Sequence, residues 1–214
     1  MRFKAVLRFC LMTLPLLAGF ASAQAAPLKI VALGDSLMAG YELPADDAYP
    51  AKLQAALKAR GIDAVVENGA VSGDTTADGL ARLDWTIPDD ADAVLVELGA
   101  NDALRGVSPA EARANLKAIL SRLKERGKPV MLFGMLAPPN MGAEYGEAFN
   151  AIYPELAREY DVPLYPFFLD GVITESSLKL SDGMHPNAKG VDRLVEKTLP
   201  AVEAFVKTIK PRAK

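Results

Sequence analysis

Short apolar runs alternate with longer amphipathic stretches from Leu28 towards the end of the chain. This alternation is typical of βα units around a parallel sheet, and it predicts a protein of the α/β class. The apolar runs are short and nearly uninterrupted, as expected for strands that are buried on both faces. Pro163 and Pro166 fall in the last run. Because proline donates no backbone hydrogen bond, that strand is predicted at an edge of the sheet. The predicted strands are 29–33, 64–67, 93–98, 130–133 and 163–168.

The clearest predicted helix begins after Ser108, which has the character of an N-cap residue. Pro109 suits the first helical position, and Glu111 completes a capping box with the serine. Gly127 is the expected end of this helix. The other amphipathic stretches predict helices at 51–60, 76–85, 147–160 and from 188 towards 207.

The beginning of the chain has a different character from the rest. Its basic residues are Arg2, Lys4 and Arg8. An uncharged, mostly apolar run follows at 9–23 and ends in Ala21-Ser22-Ala23, which is the pattern of a secretory signal peptide with a small-residue cleavage site. A membrane anchor is the alternative, but a membrane-spanning helix needs about 20 apolar residues. We therefore expect a cleaved signal peptide at 1–23 and a single periplasmic or secreted domain at 24–214, without a stable membrane anchor.

The overall composition is that of an ordinary globular protein, with 50% hydrophobic and 24% charged residues. The net charge is -3, and it becomes -6 when the three basic residues of 1–23 are removed. An acidic balance of this kind argues against a nucleic-acid partner. Cys10 is the only cysteine and lies in the predicted signal peptide, so no disulfide is expected. With a single histidine in the chain, we expect neither a zinc site nor a cofactor.

Four polar clusters follow the carboxyl ends of predicted strands: the first, the second, the third and the last. In an open parallel sheet the carboxyl ends of the strands share one edge, which is where ligands bind. We therefore expect these four clusters to converge on one site. The clusters are 34–37, 72–75, 99–102 and 182–186.

Three residues of these clusters have the chemistry of a serine hydrolase. Ser36 lies between Gly34 and Gly40, where a strand turns sharply into a helix, and its hydroxyl is a candidate nucleophile. His185 is the available base, and Asp182 is close enough in sequence to fix the tautomer of its ring. The alternatives are a helix-capping serine and a surface-loop histidine.

Acyl transfer also requires hydrogen-bond donors for a developing oxyanion. The candidates are the backbone N–H groups of Ser36 and Gly73 and the side-chain amide of Asn101. Each has a simpler alternative, because glycine and asparagine are common turn residues. The three aspartates of the clusters are expected to hydrogen-bond nearby loop backbone and hold the site rigid: Asp35, Asp74 and Asp102.

The clusters resemble the four sequence blocks of the SGNH (GDSL) hydrolases, in the same order and over nearly all of 24–214. The residues that carry this resemblance are Gly34-Asp35-Ser36-Leu37, Gly73, Asn101 and Asp182-x-x-His185. Shorter runs resemble the bacterial arylesterase and acyl-CoA thioesterase I/lysophospholipase group: 36–41, 72–75, 80–83, 97–99 and 149–153. The resemblance implies Ser36 as nucleophile, His185 as base and Asp182 as the orienting carboxylate, with the three oxyanion donors named above. It also implies a three-layer α/β/α, flavodoxin-like fold with a parallel five-stranded sheet of order 2-1-3-4-5.

Apolar residues of two loops are the candidate substrate-binding groups: Leu104, Val107, Leu136, Pro138 and Met141. In the resembling group these loops border the acyl groove. The alternative is that they anchor the loops to the core.

The sequence therefore predicts a secreted serine esterase that hydrolyses small-molecule carboxylic esters or thioesters through an acyl-enzyme. Another hydrolase fold is disfavoured because no Gly-x-Ser-x-Gly sequence occurs. A non-catalytic, flavodoxin-like periplasmic binding module remains the alternative. Asp35 argues against phosphate binding at the first turn, because its carboxylate would repel the anion.

Overall fold

A parallel sheet forms the centre of the protein in the computed structural model, which describes residues 26–209. All of its strand pairs are parallel, and the order is β2-β1-β3-β4-β5, which confirms the predicted topology and the edge position of the last strand. The strands are β1 (Leu28–Leu33), β2 (Ala64–Asn68), β3 (Ala93–Glu97), β4 (Val130–Phe133) and β5 (Leu164–Tyr165).

The helices connect these strands and cover both faces of the sheet. They are α1 (Ser36–Ala39), α2 (Tyr49–Ala59), α3 (Thr76–Ala81), α4 (Leu83–Thr86), α5 (Ala100–Arg105), α6 (Pro109–Glu125), α7 (Ala143–Tyr160) and α8 (Ala188–Val206). Short 3₁₀ turns lie at Ala45–Asp47, Pro139–Met141 and Ser176–Leu178. α2 packs against α8, whereas α3, α6 and α7 pack in succession. Right-handed crossovers in this strand order place the two groups on opposite faces. The fold is thus the expected three-layer α/β/α arrangement.

The central strand β3 shows why the layers hold together. All five of its residues are buried, because helices cover it on both faces. The core continues into α6 through Leu116, Ile119 and Leu123, which recur at helical spacing on one face. The helix begins with the predicted N-cap, because the Ser108 hydroxyl accepts from the N–H of Glu111, but the predicted capping box is wrong, since the Glu111 side chain makes no return bond to the N–H of Ser108.

Several element boundaries differ from the prediction. The stretch 76–85 forms two helices instead of one, because the backbone leaves helical geometry at Arg82 (φ -100°, ψ 2°). β5 is two residues long, since Pro163 and Pro166 flank it and cannot donate to the ladder. α7 begins at Ala143 rather than Glu147 and contains Pro154. α2 begins at Tyr49 rather than at the predicted residue 51, because Pro50 is tolerated in the first turn of a helix.

The predicted signal peptide at 1–23 lies outside the described residues. Within 26–209, none of the helices combines the length and the apolar character needed to cross a membrane.

Candidate active site

The turn after β1 presents Ser36 at the carboxyl edge of the sheet. Asp35 is the N-cap of α1, and its carboxylate accepts from the N–H of Leu37. Ser36 is the first residue of the helix, so the alternative of a capping serine is wrong: the cap is its neighbour. Gly40 ends this short helix in the left-handed region, at φ 81°.

The other side of the site is the loop that precedes α8. The N–H of Leu180 donates to the carbonyl of His185 at 2.8 Å, which closes the loop into a tight turn. Asn187 then fastens it in two ways: its side chain caps α8 through the N–H of Gly190, and its amide donates to the carbonyls of Ser177 and Lys179. The loop is therefore held on both sides of the histidine.

A continuous chain of hydrogen bonds joins the two loops. Nε2 of His185 lies 2.9 Å from Oγ of Ser36, although the residues are 149 positions apart in sequence. Nδ1 of the same ring contacts Oδ2 of Asp182. With the Nδ1–H tautomer, the ring donates to the carboxylate and leaves Nε2 free to accept from the serine hydroxyl.

Two further contacts fix this arrangement. Oδ1 of Asp182 accepts from the N–H groups of Met184 and His185, at 2.8 and 3.0 Å. The Met184 N–H, followed by the histidine side chain, lowers the pKa of Asp182 to about 2, so the carboxylate is charged at neutral pH. The ring of Tyr41 packs on the imidazole, with 4.4 Å between the ring centroids.

The candidate oxyanion donors lie on three neighbouring loops. Ser36 has the N1 position of α1, where the backbone N–H has no acceptor within its own helix. Gly73 adopts φ 90°, a conformation that favours glycine, and its carbonyl accepts from Arg105. The Asn101 amide donates to the carbonyl of Asp74 at 2.9 Å and to the Asp35 carboxylate at 3.2 Å, which fixes its plane.

The three aspartates support these loops in different ways. Asp35 accepts from backbone as expected. Asp102 also does so, through the N–H of Thr76 at 2.8 Å, and it takes the Thr76 hydroxyl as well. For Asp74 the expected partner is wrong, because its carboxylate pairs with the guanidinium of Arg82 rather than with loop backbone.

Two buried acidic groups lie close to Ser36. Glu97 ends β3, is fully buried, and accepts from the N–H of Asp35 through Oε2 at 3.4 Å, while its Oε1 has no partner within the described residues. Burial raises the pKa of Glu97 well above its ordinary value, and the nearby Asp35 raises it further. Burial also raises the pKa of Asp35 to about 7.

The candidate substrate-binding residues lie around the same edge with different exposure. Leu104 and Leu136 are 55% and 44% exposed, whereas Val107 and Pro138 are half-buried. Tyr41, Val71 and Met184 are exposed as well, and each is close to Ser36 or His185 in the chain or in space. The edge around Ser36 therefore exposes several apolar side chains. Near Val107, whose carbonyl accepts from the Tyr145 hydroxyl, an open groove is lined by Pro109, Met141, Gly142, Ala143, Glu144, Tyr145 and Ala148.

Over the part of the chain that the structure describes, no group of three or more histidine, cysteine, aspartate or glutamate side chains is placed to hold a metal ion.

Residues 32–193 match the family described as GDSL-like Lipase/Acylhydrolase. The match covers most of the chain and all the residues discussed above as nucleophile, base, orienting carboxylate and oxyanion donors. The chain belongs to this family.

Members of the GDSL-like family with known names are close to this chain in sequence and structure. An arylesterase of Vibrio mimicus is 42% identical over 187 residues, which is 87% of this chain and 94% of that protein. The Thioesterase 1/protease 1/lysophospholipase L1 of Escherichia coli K12 is 43% identical over 164 residues, covering 76% and 77%. The crystal structure of AlinE4, an SGNH-hydrolase family esterase, aligns with a TM-score of 0.72 at 49% identity, covering 85% and 98%. The protein is therefore a hydrolase that acts on ester bonds.

Sequence reasoning missed several residues of this family site. Glu97 falls within the predicted strand 93–98 and the family-like run 97–99 without a role of its own, and its isolated charge in the strand was the available signal. Asn187 follows the histidine by two residues, and its N-cap character was visible in the sequence. For Tyr41 and Arg82 the only signal was their place in the family-like runs, because their contacts are with distant residues.

Proposed function

We propose that this protein is a periplasmic or secreted serine esterase of the arylesterase, thioesterase and lysophospholipase type, which cleaves carboxylic esters or thioesters through an acyl-enzyme. The observation that carries the proposal is the hydrogen-bonded chain from Ser36 through His185 to Asp182. A non-catalytic binding module gives no reason for this geometry, whereas nucleophilic catalysis requires it.

Catalysis begins with proton transfer between the two loops. Nε2 of His185 takes the hydroxyl proton as Oγ of Ser36 attacks the substrate carbonyl, and the charged ring is stabilised by Asp182. The imidazolium then protonates the departing alcohol or thiol, so that the ester bond breaks and an acyl-serine remains. Water attacks the acyl-serine with the same histidine as base, which releases the acid and restores the serine hydroxyl.

The tetrahedral intermediate carries its negative charge on the former carbonyl oxygen. The N–H groups of Ser36 and Gly73 and the amide of Asn101 are its donors in this proposal. The support is local: Gly73 has the backbone conformation that only glycine adopts readily, and the Asn101 amide lies between the Asp74 carbonyl and the Asp35 carboxylate. Because these two acceptors take both amide hydrogens, the bond to Asp35, which is the longer at 3.2 Å, gives way when Asn101 donates to the oxyanion.

The substrate class follows from the relatives and from the apolar edge. One relative is named an arylesterase and another a thioesterase and lysophospholipase, and all of these substrates have an acyl group beside a variable leaving group. Leu104, Val107, Leu136 and Pro138 are proposed to contact the acyl or aryl part of the substrate. The exposure of Leu104 and Leu136 on loops at the carboxyl edge of the sheet supports this role, since residues that only anchor a loop are normally buried.

The periplasmic or secreted location rests on the sequence of the first 23 residues, with their basic start, apolar centre and Ala-Ser-Ala end. N-terminal sequencing of the protein from an extracellular or periplasmic fraction tests it. A chain that retains Met1 there would contradict cleavage.

Replacement of the nucleophile tests the proposed mechanism directly. Ser36→Ala should abolish both p-nitrophenyl ester hydrolysis and covalent labelling by a fluorophosphonate, because the attacking oxygen is gone, while Tm changes little. Ser72→Ala is the matched control, since Ser72 is an exposed serine on the neighbouring loop. Intact-mass measurement should find one adduct on the wild type and on Ser72→Ala. Labelling or turnover that survives Ser36→Ala would remove Ser36 from the mechanism.

A further inference from the structure

One guanidinium lies where the loops of the proposed active site meet. Arg82 separates α3 from α4, and its side chain is only 16% exposed. Its Nη2 donates to the carbonyl of Gly34 at 3.0 Å, and its Nη1 donates to the carbonyl of Gly69. Its Nε pairs with the carboxylate of Asp74. The helix break at Arg82 thus coincides with a set of contacts to two loops that are remote from it in sequence.

The partners of Arg82 are direct neighbours of the proposed catalytic groups. Gly34 directly follows β1 and lies two residues before Ser36. The contact therefore fixes the start of the turn between β1 and α1, which carries the proposed nucleophile. Asp74 follows Gly73, and the carbonyl of Asp74 is also the acceptor that holds the Asn101 amide. Through these two partners a single side chain is connected to all three proposed oxyanion donors.

Other described contacts also tie these loops together. The N–H of Val71 donates to the Gly34 carbonyl at 3.0 Å, and the N–H of Gly69 donates to the carbonyl of Ala32 at 2.9 Å. Both lie on the strand side of the loop, before Gly73. The Asn101 amide joins the Asp74 carbonyl to the Asp35 carboxylate from α5. The guanidinium links Asp74 directly to the Gly34 carbonyl, and the other bonds keep the loop attached when Arg82 is changed.

We propose that Arg82 is a positioning residue, which sets the distance between the nucleophile and the oxyanion donors. The proposal rests on the proposed serine-esterase function. Arginine suits this task because its planar group presents several N–H donors in fixed directions and can bond two carbonyls and a carboxylate together. Lysine has one compact ammonium on a flexible chain, so it can keep the charge pair with Asp74 but cannot hold both carbonyls in the same geometry.

Loss of this geometry should affect the transition state more than the substrate complex. The three donors are proposed to stabilise charge that is absent from the bound ester, so a displaced donor lowers kcat and leaves KM nearly unchanged. A displacement of about 1 Å can lower the rate about 10²-fold. A purely structural arginine would instead lower Tm without changing kcat at temperatures where the protein is folded.

The experiment compares Arg82→Lys and Arg82→Gln with Arg126→Lys. Arg126 is the matched control because its side chain is similarly buried, 22% exposed, and it also donates to a backbone carbonyl and a carboxylate, those of Ile87 and Asp89, at the other end of the sheet. For each Arg82 variant we expect kcat to fall by about 10–10²-fold with KM within about threefold. The affinity for a boronic acid, a mimic of the tetrahedral intermediate, should fall in the same proportion as kcat/KM.

Other results would overturn the assignment. If the Arg82 variants lose Tm as Arg126→Lys does but keep wild-type kcat and boronic acid affinity, Arg82 only stabilises the fold. If Arg82→Gln does not fold, Arg82→Lys decides alone: it keeps the charge pair with Asp74 but cannot hold both carbonyls, and an unchanged kcat for that folded variant would refute the positioning role. Fluorophosphonate labelling of the wild type at Ser36 separates the two proposals. Without it the esterase mechanism itself fails, whatever Arg82 does.

Discussion

Asn101 offers a sharp test of how the proposed oxyanion site works, because its amide has defined partners. Its two bonds, to Asp74 and Asp35, hold the group in one plane. Asn101→Ala should lower kcat by about 10²–10³-fold, the usual effect of removing one oxyanion donor. The measurement is steady-state hydrolysis of a p-nitrophenyl ester with Tm as the folding control. A change confined to KM would assign Asn101 to substrate binding instead.

The protonation of His185 should determine how activity depends on pH. Only the neutral ring can accept the Ser36 proton, so kcat/KM should rise with pH as the ring loses its proton and then level off. Asp182 should not contribute a second limb near neutral pH, since its pKa is lowered to about 2 by the N–H of Met184 and by the histidine.

Asp35 requires a control in that experiment, because its pKa is raised by burial to about 7 and it lies beside Ser36. Asp35→Asn removes this titration and keeps a good N-cap for α1. The rising limb should persist in Asp35→Asn. A limb that disappears with this change would assign it to Asp35, and a flat profile in the wild type would contradict the role of His185.

Two elements of the active-site edge should control the choice of acyl chain. Leu104 lies on α5 and Leu136 on the loop between β4 and α7, both of which follow the carboxyl ends of strands, and both side chains are exposed. Each methylene buried against them contributes about 0.8 kcal/mol. We therefore expect kcat/KM for p-nitrophenyl esters to rise as the acyl chain lengthens beyond acetate, until the groove ends.

Serine substitutions test this at each element separately. Leu104→Ser and Leu136→Ser should flatten the rise with chain length and leave acetate hydrolysis nearly unchanged, because acetate does not reach these positions. Val65→Ser is the matched control, since Val65 is a similarly exposed aliphatic residue on the edge strand β2. If acetate is the best wild-type substrate and the leucine variants behave like the wild type, the protein is a small-acyl esterase with its groove elsewhere.

The free energy of unfolding of the whole protein should depend on pH through the buried carboxyl group of Glu97. Its pKa is raised in the folded state, mainly by burial, from an ordinary value of 4.5. A raised pKa means that the folded state holds the proton more tightly, so this group's favourable contribution is present below about pH 4.5 and is lost as pH rises through the folded-state pKa.

Glu97→Gln should remove this dependence because glutamine has nearly the same shape and does not titrate. Relative to the wild type, the variant's free energy of unfolding should increase with pH above about 4.5, with a slope of up to about 1.4 kcal/mol per pH unit. Urea unfolding at several pH values measures the difference. A pH-independent difference for Glu97→Gln would show that the carboxyl group has no raised pKa in the folded protein.

Several features of this fold could be predicted from short stretches of sequence. The helix of α6 follows from Ser108 and Pro109, and the edge position of β5 follows from the prolines around it. In each case the cause is local, since capping and a missing N–H act within a few residues. The sequence also identified Ser36, Asp182 and His185 as candidates, because their residue types and order resemble a family motif.

Long-range contacts decided the remaining features. The break of the predicted helix 76–85 at Arg82 accompanies a hydrogen bond to Gly34, 48 positions away. Glu97 is buried because the layers around β3 exclude water, and its partner, the N–H of Asp35, is 62 positions away in sequence. The bond between Ser36 and His185 spans 149 positions. Periodicity and capping depend on residues that are close together in sequence. These contacts instead depend on how the sheet and its loops bring distant segments together, and only the tertiary structure determines that.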